Sequence, residues 1–461
     1  MTAHVLKRWE PEDSGFWQNQ GERIANRNLW ISIPALMLAF SVWMLWSVVV
    51  VNLDKAGFSF TKNQLFWLTA LPALSGATLR IFYSFLVPIF GGRRWTAIST
   101  ASLLIPAVGM GMALKDPTTS YPTLLILALL CGLGGGNFSS SMANISFFFP
   151  KHKKGLATGL NAGIGNLGVS LVQFLTPVVI SGAVFGALSG DPATFVKDGV
   201  EKHIWLQNAG FIWVPFIVVA AVAAWFGMND IADAKASFAD QAVIFKRKHN
   251  WLMCWLYIGT FGSFIGFSAG LAMLTKSQFP DVNPTQYAFL GPLVGALVRP
   301  IGGWISDKIG GARVTFWVFV GMTVAVFGVL HFMPHAGSPG NFQGFLTMFI
   351  LLFALTGIGN GSTFRMIPII FLTERQREAQ GKDEAAQRQA SLDAGKESAA
   401  VLGFSGAIGA YGGFFIPKSF GTSIDLTGSV DAALYSFILF YLSCLVVTWW
   451  FYSRKGADMP C

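Results

Sequence analysis

Along the chain, twelve apolar runs of bilayer-crossing length alternate with polar segments. About 20 apolar residues suffice for one helical crossing. The runs lie near 29–53, 65–90, 96–114, 123–149, 155–187, 206–228, 251–275, 284–306, 314–333, 343–371, 398–424 and 430–453. The fifth is too long for one perpendicular helix, so part of 178–187 is assigned to the following loop. Two polar interruptions exceed the others. The first, 229–250, falls at the midpoint and divides the pattern six and six. The second, 372–397, is rich in Glu, Gln, Ala and Arg; it is read as a solvated cytoplasmic loop, with a surface helix as the alternative. The pattern predicts an all-α membrane protein. Its expected parts are a cytoplasmic N-terminal segment (1–28), a six-helix bundle (29–228), a cytoplasmic linker (229–250), a second six-helix bundle (251–453) and a cytoplasmic tail (454–461).

Basic residues give the expected orientation. With both termini in the cytoplasm, 22 of the 32 Lys and Arg fall in inside segments. The outside loops hold six: Lys55, Lys62, Lys115, Lys197, Lys202 and Lys276. Four remain within spans: Arg80, Arg299, Arg365 and Lys418. Composition agrees, since 53% of the 461 residues are hydrophobic, 12% are charged and the mean hydropathy is +0.54. Soluble domains carry about 25% charged residues, so a soluble enzyme is excluded. The net charge of +9 reports loop placement rather than a nucleic-acid partner. Cys131, Cys254 and Cys444 lie in apolar runs, Cys461 is the last residue, and no CxxC occurs, so neither a disulfide framework nor a zinc site is expected. Residues 1–28 are polar, so no cleavable signal peptide is expected.

The two halves repeat each other. Arg80, Gly91, Gly92 and Arg94 recur as Arg299, Gly310, Gly311 and Arg313, 219 residues later. Gly132, Gly134 and Gly136 recur as Gly357, Gly359 and Gly361, and the stretch Gly163–Gly168 recurs as Ala407–Gly412. Each pair lies six spans apart, the pattern of a duplicated bundle.

Charged groups at bilayer depth are costly and mark functional sites by default. Arg80 sits mid-span in the second run and Arg299 in the equivalent place in the eighth. The only Asp or Glu within the spans is Asp431, at the edge of the last one. Two guanidinium groups without carboxylate counterparts in the spans point to an anionic cargo, since guanidinium is planar, permanently charged and bidentate toward planar oxyanions. Arg365 lies nearer the cytoplasmic end of its span, where a loop or headgroup contact and a role in cargo entry are both open; Lys418 is expected to snorkel. The glycines of spans five and eleven allow close helix approach. Asn166, an amide among them, is a candidate donor to an anion.

The loop Gly302–Arg313, containing Asp307-Lys308 and Gly310-Gly311-Ala312-Arg313, resembles the signature loop of the major facilitator superfamily. That resemblance implies a conformational latch made by Asp307, Lys308 and Arg313. The first-half copy has Pro88 where the second half has Asp307. Over nearly its whole length the chain also resembles the NarK-type nitrate/nitrite porters. Ser141–Pro150 and Thr260–Ser268 carry that resemblance, with the glycine-rich helices containing Gly159, Gly163, Gly165 and Gly168, and Gly403, Gly406, Gly409 and Gly412. It implies two pseudo-symmetric six-helix bundles, with Arg80 and Arg299 clamping the anion, Asn166 and Tyr257 adding hydrogen bonds, and Phe138 and Phe261 packing against it. Two positions depart from the family pattern: Phe82 stands in place of proline and Arg365 in place of glutamine.

The expected activity is nitrate/nitrite antiport by alternating access in a bacterial inner membrane, by a chain that works as a monomer without cofactor or metal. Assimilatory and respiratory roles are both open. No Asp, Glu or His is expected deep within the spans, since Asp431, His331 and His335 lie at outer ends, so there is no obvious proton carrier, which favours exchange over nitrate/proton symport. A non-transporting nitrate sensor acting through 372–397 is the alternative from another class. No metal cluster, nucleophilic triad or phosphate loop supports an enzyme.

Overall fold

A computed structural model describes residues 4–197, 199–232, 242–335 and 337–461. Of the linker expected at 229–250, residues 233–241 lie outside the described residues. Among the described residues, eleven helices are long and apolar enough to span a bilayer, and a bent pair supplies a twelfth. In chain order they are α1 (Ser14–Trp43 with Trp46–Asn52, bent by 41°), α2 (Lys62–Phe90), α3 (Gly92–Ala113), α4 (Tyr121–Phe148), α5 (Lys151–Val179), α6 (Asn208–Gly227), α7 (Lys248–Gln278), α8 (Leu290–Ile309), α9 (Gly311–Phe332), α10 (Phe342–Glu378), α11 (Glu384–Thr427) and α12 (Asp431–Ser453). Four short strands complete the described structure: β1 (Val5–Leu6), β2 (Ala193–Lys197), β3 (Val200–Ile204) and β4 (Asp230–Ile231).

Local chemistry sets the helix ends. Thr61 and Gln64 form a capping box that starts α2, while Ser120, Asn341 and Asp383 cap α4, α10 and α11 through side-chain oxygens. α4 stops before Pro150, which holds Phe149 extended. The α2–α3 and α8–α9 turns each pivot on a glycine with positive φ, Gly91 (86°) and Gly310 (94°), the two glycines that the sequence repeat aligns.

The chain forms two compact units. The first holds residues 1–235 with Ser268–Leu293 and Phe414–Asp425; the second holds Ala236–Phe267, Val294–Gly413 and Leu426–Cys461. Within the first, Lys276 of α7 pairs with Asp54 at 2.7 Å and donates to Val51 O. Gln173 of α5 donates to Ser268 O, and Ser170 donates to Phe289 O. Lys418 of α11 donates to Asn63 and Thr422 and lies over the Trp67 ring. It is therefore anchored in protein rather than snorkelling, because α2 offers it an amide and an indole face.

The N-terminal segment is also organised. β1 pairs in parallel with β4, and Asn28 and Arg27 hold Asn229 beside that pair. Trp9 donates to Phe147 O, and Trp17 packs on Phe149.

The solvated loop expected at 372–397 is instead a helical hairpin that prolongs α10 and α11. Its Glu- and Ala-rich composition favours helix, and a charge network fixes it in the second unit. Glu397, 4% exposed, accepts from Arg375 at 2.5 Å and Arg247 at 3.3 Å, while Arg247 also pairs with Glu374 and Glu378. Glu397→Ala removes the most buried carboxylate of the network and leaves Arg247 and Arg375 to share Glu378, with Glu374 also on Arg247, and is expected to lower stability by about 1–3 kcal/mol. Glu384→Ala breaks only an exposed pair with Arg388 and is expected to cost under about 0.5 kcal/mol. Thermal unfolding followed by tryptophan fluorescence distinguishes the two, and equal midpoints would count against the network.

Candidate anion-binding groups

In the first unit the site begins with glycine. Gly76 of α2 and Gly135 of α4 leave the slot that the Trp43 indole fills; a Cβ at Gly135 would sit 2.7 Å from the ring. Trp43 Nε1 donates to Pro72 O at 2.7 Å, which fixes the ring. The close α2–α4 approach brings Arg80 Nε within 2.8 Å of Gly135 O. Arg80 is 1% exposed, and its guanidinium carbon lies 4.6 Å from the Phe138 ring, 4.8 Å from Trp43 and 5.8 Å from Phe40. The planar cation is thus sheathed by three aromatic faces, each favourable to positive charge.

On α5, Asn166 is 1% exposed and its Oδ1 is buried without a hydrogen-bond partner among the described residues. The neighbouring glycines divide into two sets. Gly165 and Gly168 pack against Leu36 and Met37 of α1, whereas Gly155, Gly159 and Gly163 have no atom within 4 Å of an added Cβ. Close packing therefore accounts for only part of the motif.

The second unit repeats the arrangement around Arg299. Its Nη2 donates to Tyr257 Oη at 3.3 Å, its guanidinium lies 4.8 Å from the Phe364 ring, and its Nη1 is buried without a hydrogen-bond partner among the described residues. Tyr257 and Phe261 stack at 5.2 Å with planes 10° apart, and Tyr257 lies 5.0 Å from Phe364. A π-helical turn over Ile258–Gly262 carries Phe261, an interruption often found where helices do chemistry. Gly409 seats Tyr257 and Gly412 seats Gly262, while Gly403 faces open space. Arg80 belongs to the first unit and Arg299 to the second.

Sequence reasoning did not single out Trp43, Phe40 or Phe364. With 16 Trp and 42 Phe, no single ring stands out; the neighbouring Gly76 and Gly135 are the signal that a large ring needs room there.

The loop chemistry differs between the halves. In the second, Asp307 pairs with Arg365, and Lys308 lies over Trp304 at 3.8 Å. Arg365 is thus the cation on Asp307, a partner that the motif did not indicate. In the first, the carboxylate absent at Pro88 is supplied from β4 by Asp230. It accepts from the Arg93 backbone N–H (2.8 Å) and Arg93 Nε (3.2 Å), with Arg94 3.9 Å away. Arg93 Nη1 also donates to Trp225 O.

The chain matches the Major Facilitator Superfamily over residues 31–382. It is 52% identical to the nitrate/nitrite transporter NarU of Escherichia coli (strain K12) over 459 residues, 98% of this chain and 97% of that protein. It is 43% identical to the probable nitrate/nitrite antiporter NarK2 of Thermus thermophilus, with the same coverage. Among solved structures it resembles a D-xylose-proton symporter (TM-score 0.62, 14% identity, 92% of this chain and 97% of that one). A bacterial homologue of the lysosomal transporter Spinster in an inward-facing, occupied conformation is also similar (TM-score 0.59, 14% identity, 90% and 94%). At such identities these two likenesses concern the fold.

Proposed function

The chain belongs to the NarK-type nitrate/nitrite transporters of the major facilitator superfamily, a family of transporters and not of enzymes, and from that premise we propose that it exchanges nitrate for nitrite across a bacterial inner membrane. The observation that carries the reading is the pair of span arginines, one per repeat, each backed by aromatic faces. In the proposed cycle both guanidinium groups bind the same anion. Asn166 and Tyr257 supply hydrogen bonds, Phe138 and Phe261 flank the flat ion, and the two repeats expose it alternately to each side, with both termini cytoplasmic.

Like charges supply the coupling. Two guanidinium groups about 8 Å apart at an effective dielectric of about 20 repel by about 2 kcal/mol, and a monovalent anion bound between them offsets that repulsion. A carrier that changes conformation only when loaded must return with cargo, which is exchange. Arginine does not release its proton at physiological pH, so the pair itself carries none.

Labelled-nitrate uptake into proteoliposomes tests this. Uptake is expected to be at least tenfold faster into nitrite-loaded vesicles than into empty ones. Equal uptake would sink obligatory exchange, and uptake that follows an imposed pH gradient without internal nitrite would replace it by symport.

A further inference from the structure

On the face of the first unit opposite the N-terminus, two cavities meet. One, of about 560 Å³, is lined by Lys55, Lys202 and His203 together with Asn52, and none of its lining residues is acidic. The other, of about 460 Å³, runs along α5 past Phe174, Pro177 and Val178 to Phe289. They share Pro177, Ser181, Asn283 and Thr285, so a basic recess, the chamber, and an apolar groove adjoin on one open face.

The chamber is built rather than incidental. The β2–β3 hairpin stands over it, with Lys55 Nζ 5.8 Å from the Phe195 ring and 2.8 Å from Asn52 Oδ1. Asp54, the neighbouring carboxylate, is engaged by Lys276. Burial first, and then Lys276, push the Lys55 ammonium below its ordinary pKa, so an anion in the chamber would relieve a charge held at a cost. The groove lies against the last turns of a membrane-spanning helix. Phe174 is 51% and Val178 58% exposed there, on a helix long and apolar enough to cross a membrane.

We propose that this joined cavity holds an anionic phospholipid of the leaflet opposite the termini, with its headgroup among Lys55, Lys202 and His203 and one acyl chain along Phe174, Val178 and Phe289. The chamber is several times larger than a small inorganic anion needs, and basic-to-apolar continuity suits a molecule with a charged head and an apolar tail. The inference requires that the chain spans a membrane and is independent of which anion it transports. Its occupant touches the end of α1, the hairpin, the end of α5 and the segment Asn283–Phe289 before α8 at once, so bound lipid braces these elements.

Purified full-length protein in phosphatidylcholine-containing micelles, with phosphatidylglycerol or an equal amount of further phosphatidylcholine added, provides the test. Phosphatidylglycerol is expected to raise the wild-type unfolding midpoint by about 3 °C. The double variant Lys55→Gln/Lys202→Gln, and separately Val178→Trp, which fills the groove without touching a charge, are expected to lose at least half of that gain. Lys382→Gln, an exposed charge elsewhere, keeps it. Each variant's midpoint in phosphatidylcholine alone reports whether it folds. Equal gains in all variants would overturn the proposal, as would a full gain from glycerophosphoglycerol, the phosphodiester that has the headgroup's charge and no tail.

Discussion

Arg80→Lys and Arg299→Lys are each expected to reduce nitrite-stimulated nitrate counterflow at least about 100-fold, a loss of about 2.7 kcal/mol in the limiting barrier. Lysine keeps the charge and discards the plane. Arg80 is held by three constraints that require planarity: Nε on Gly135 O, the Phe138 face at 4.6 Å and the Trp43 face at 4.8 Å. An ammonium is a compact, strongly hydrated point charge with no forked edge to offer a flat oxyanion. Arg299 loses in addition its bond to Tyr257 Oη, which leaves that buried phenol without the donor it has now. Size-exclusion profiles and thermal midpoints near wild type would show that both variants fold. Counterflow within tenfold of wild type in either would remove that arginine from the anion site.

Asp230→Ala has the second largest expected effect, on stability rather than transport. Both side chains of the Arg93–Asp230 pair are under 10% exposed, and the same carboxylate also accepts the Arg93 backbone N–H in the first turn of α3. Its loss strands a buried cation and a helix-start N–H together, a change of about 3–5 kcal/mol for a buried pair broken on one side. The double variant Arg93→Met/Asp230→Ala removes the stranded charge, and most of the lost stability is expected to return. Thermal unfolding of the three proteins decides this; an unchanged midpoint in Asp230→Ala would show that Trp225 O and solvent suffice for Arg93.

The membrane architecture was legible in the sequence because hydropathy measures the requirement that bilayers impose, that every buried backbone group be satisfied within its own helix. The two span arginines were legible for a related reason, since a charge placed where charge is costly stands out against 53% hydrophobic residues. What surrounds them was legible only in part, Phe138 and Tyr257 through the family resemblance. Trp43 and Phe364 are ordinary members of an aromatic-rich chain until the fold brings them to a guanidinium. Asp230 escaped because the loop motif looks for its carboxylate locally, whereas here it arrives from 137 residues away. The helical ends of α10 and α11 were read only as the alternative to a solvated loop, because polarity at a membrane exit looks like solvation, although Glu, Ala, Gln and Arg are also good helix formers.

The pairing of β1 with β4 bears on biosynthesis. Val5 hydrogen-bonds beside Asp230, so the first strand made waits for a partner 225 residues later. At about 5–20 residues per second, that interval is roughly 11–45 s, during which six spans must enter the bilayer with both ends of the segment on one side. An inverted or skipped helix would leave the two strands on opposite sides of the membrane. Closure of this two-residue ladder, with Asp230 then delivered to Arg93, is thus a step that a first half threaded with an odd number of crossings cannot complete.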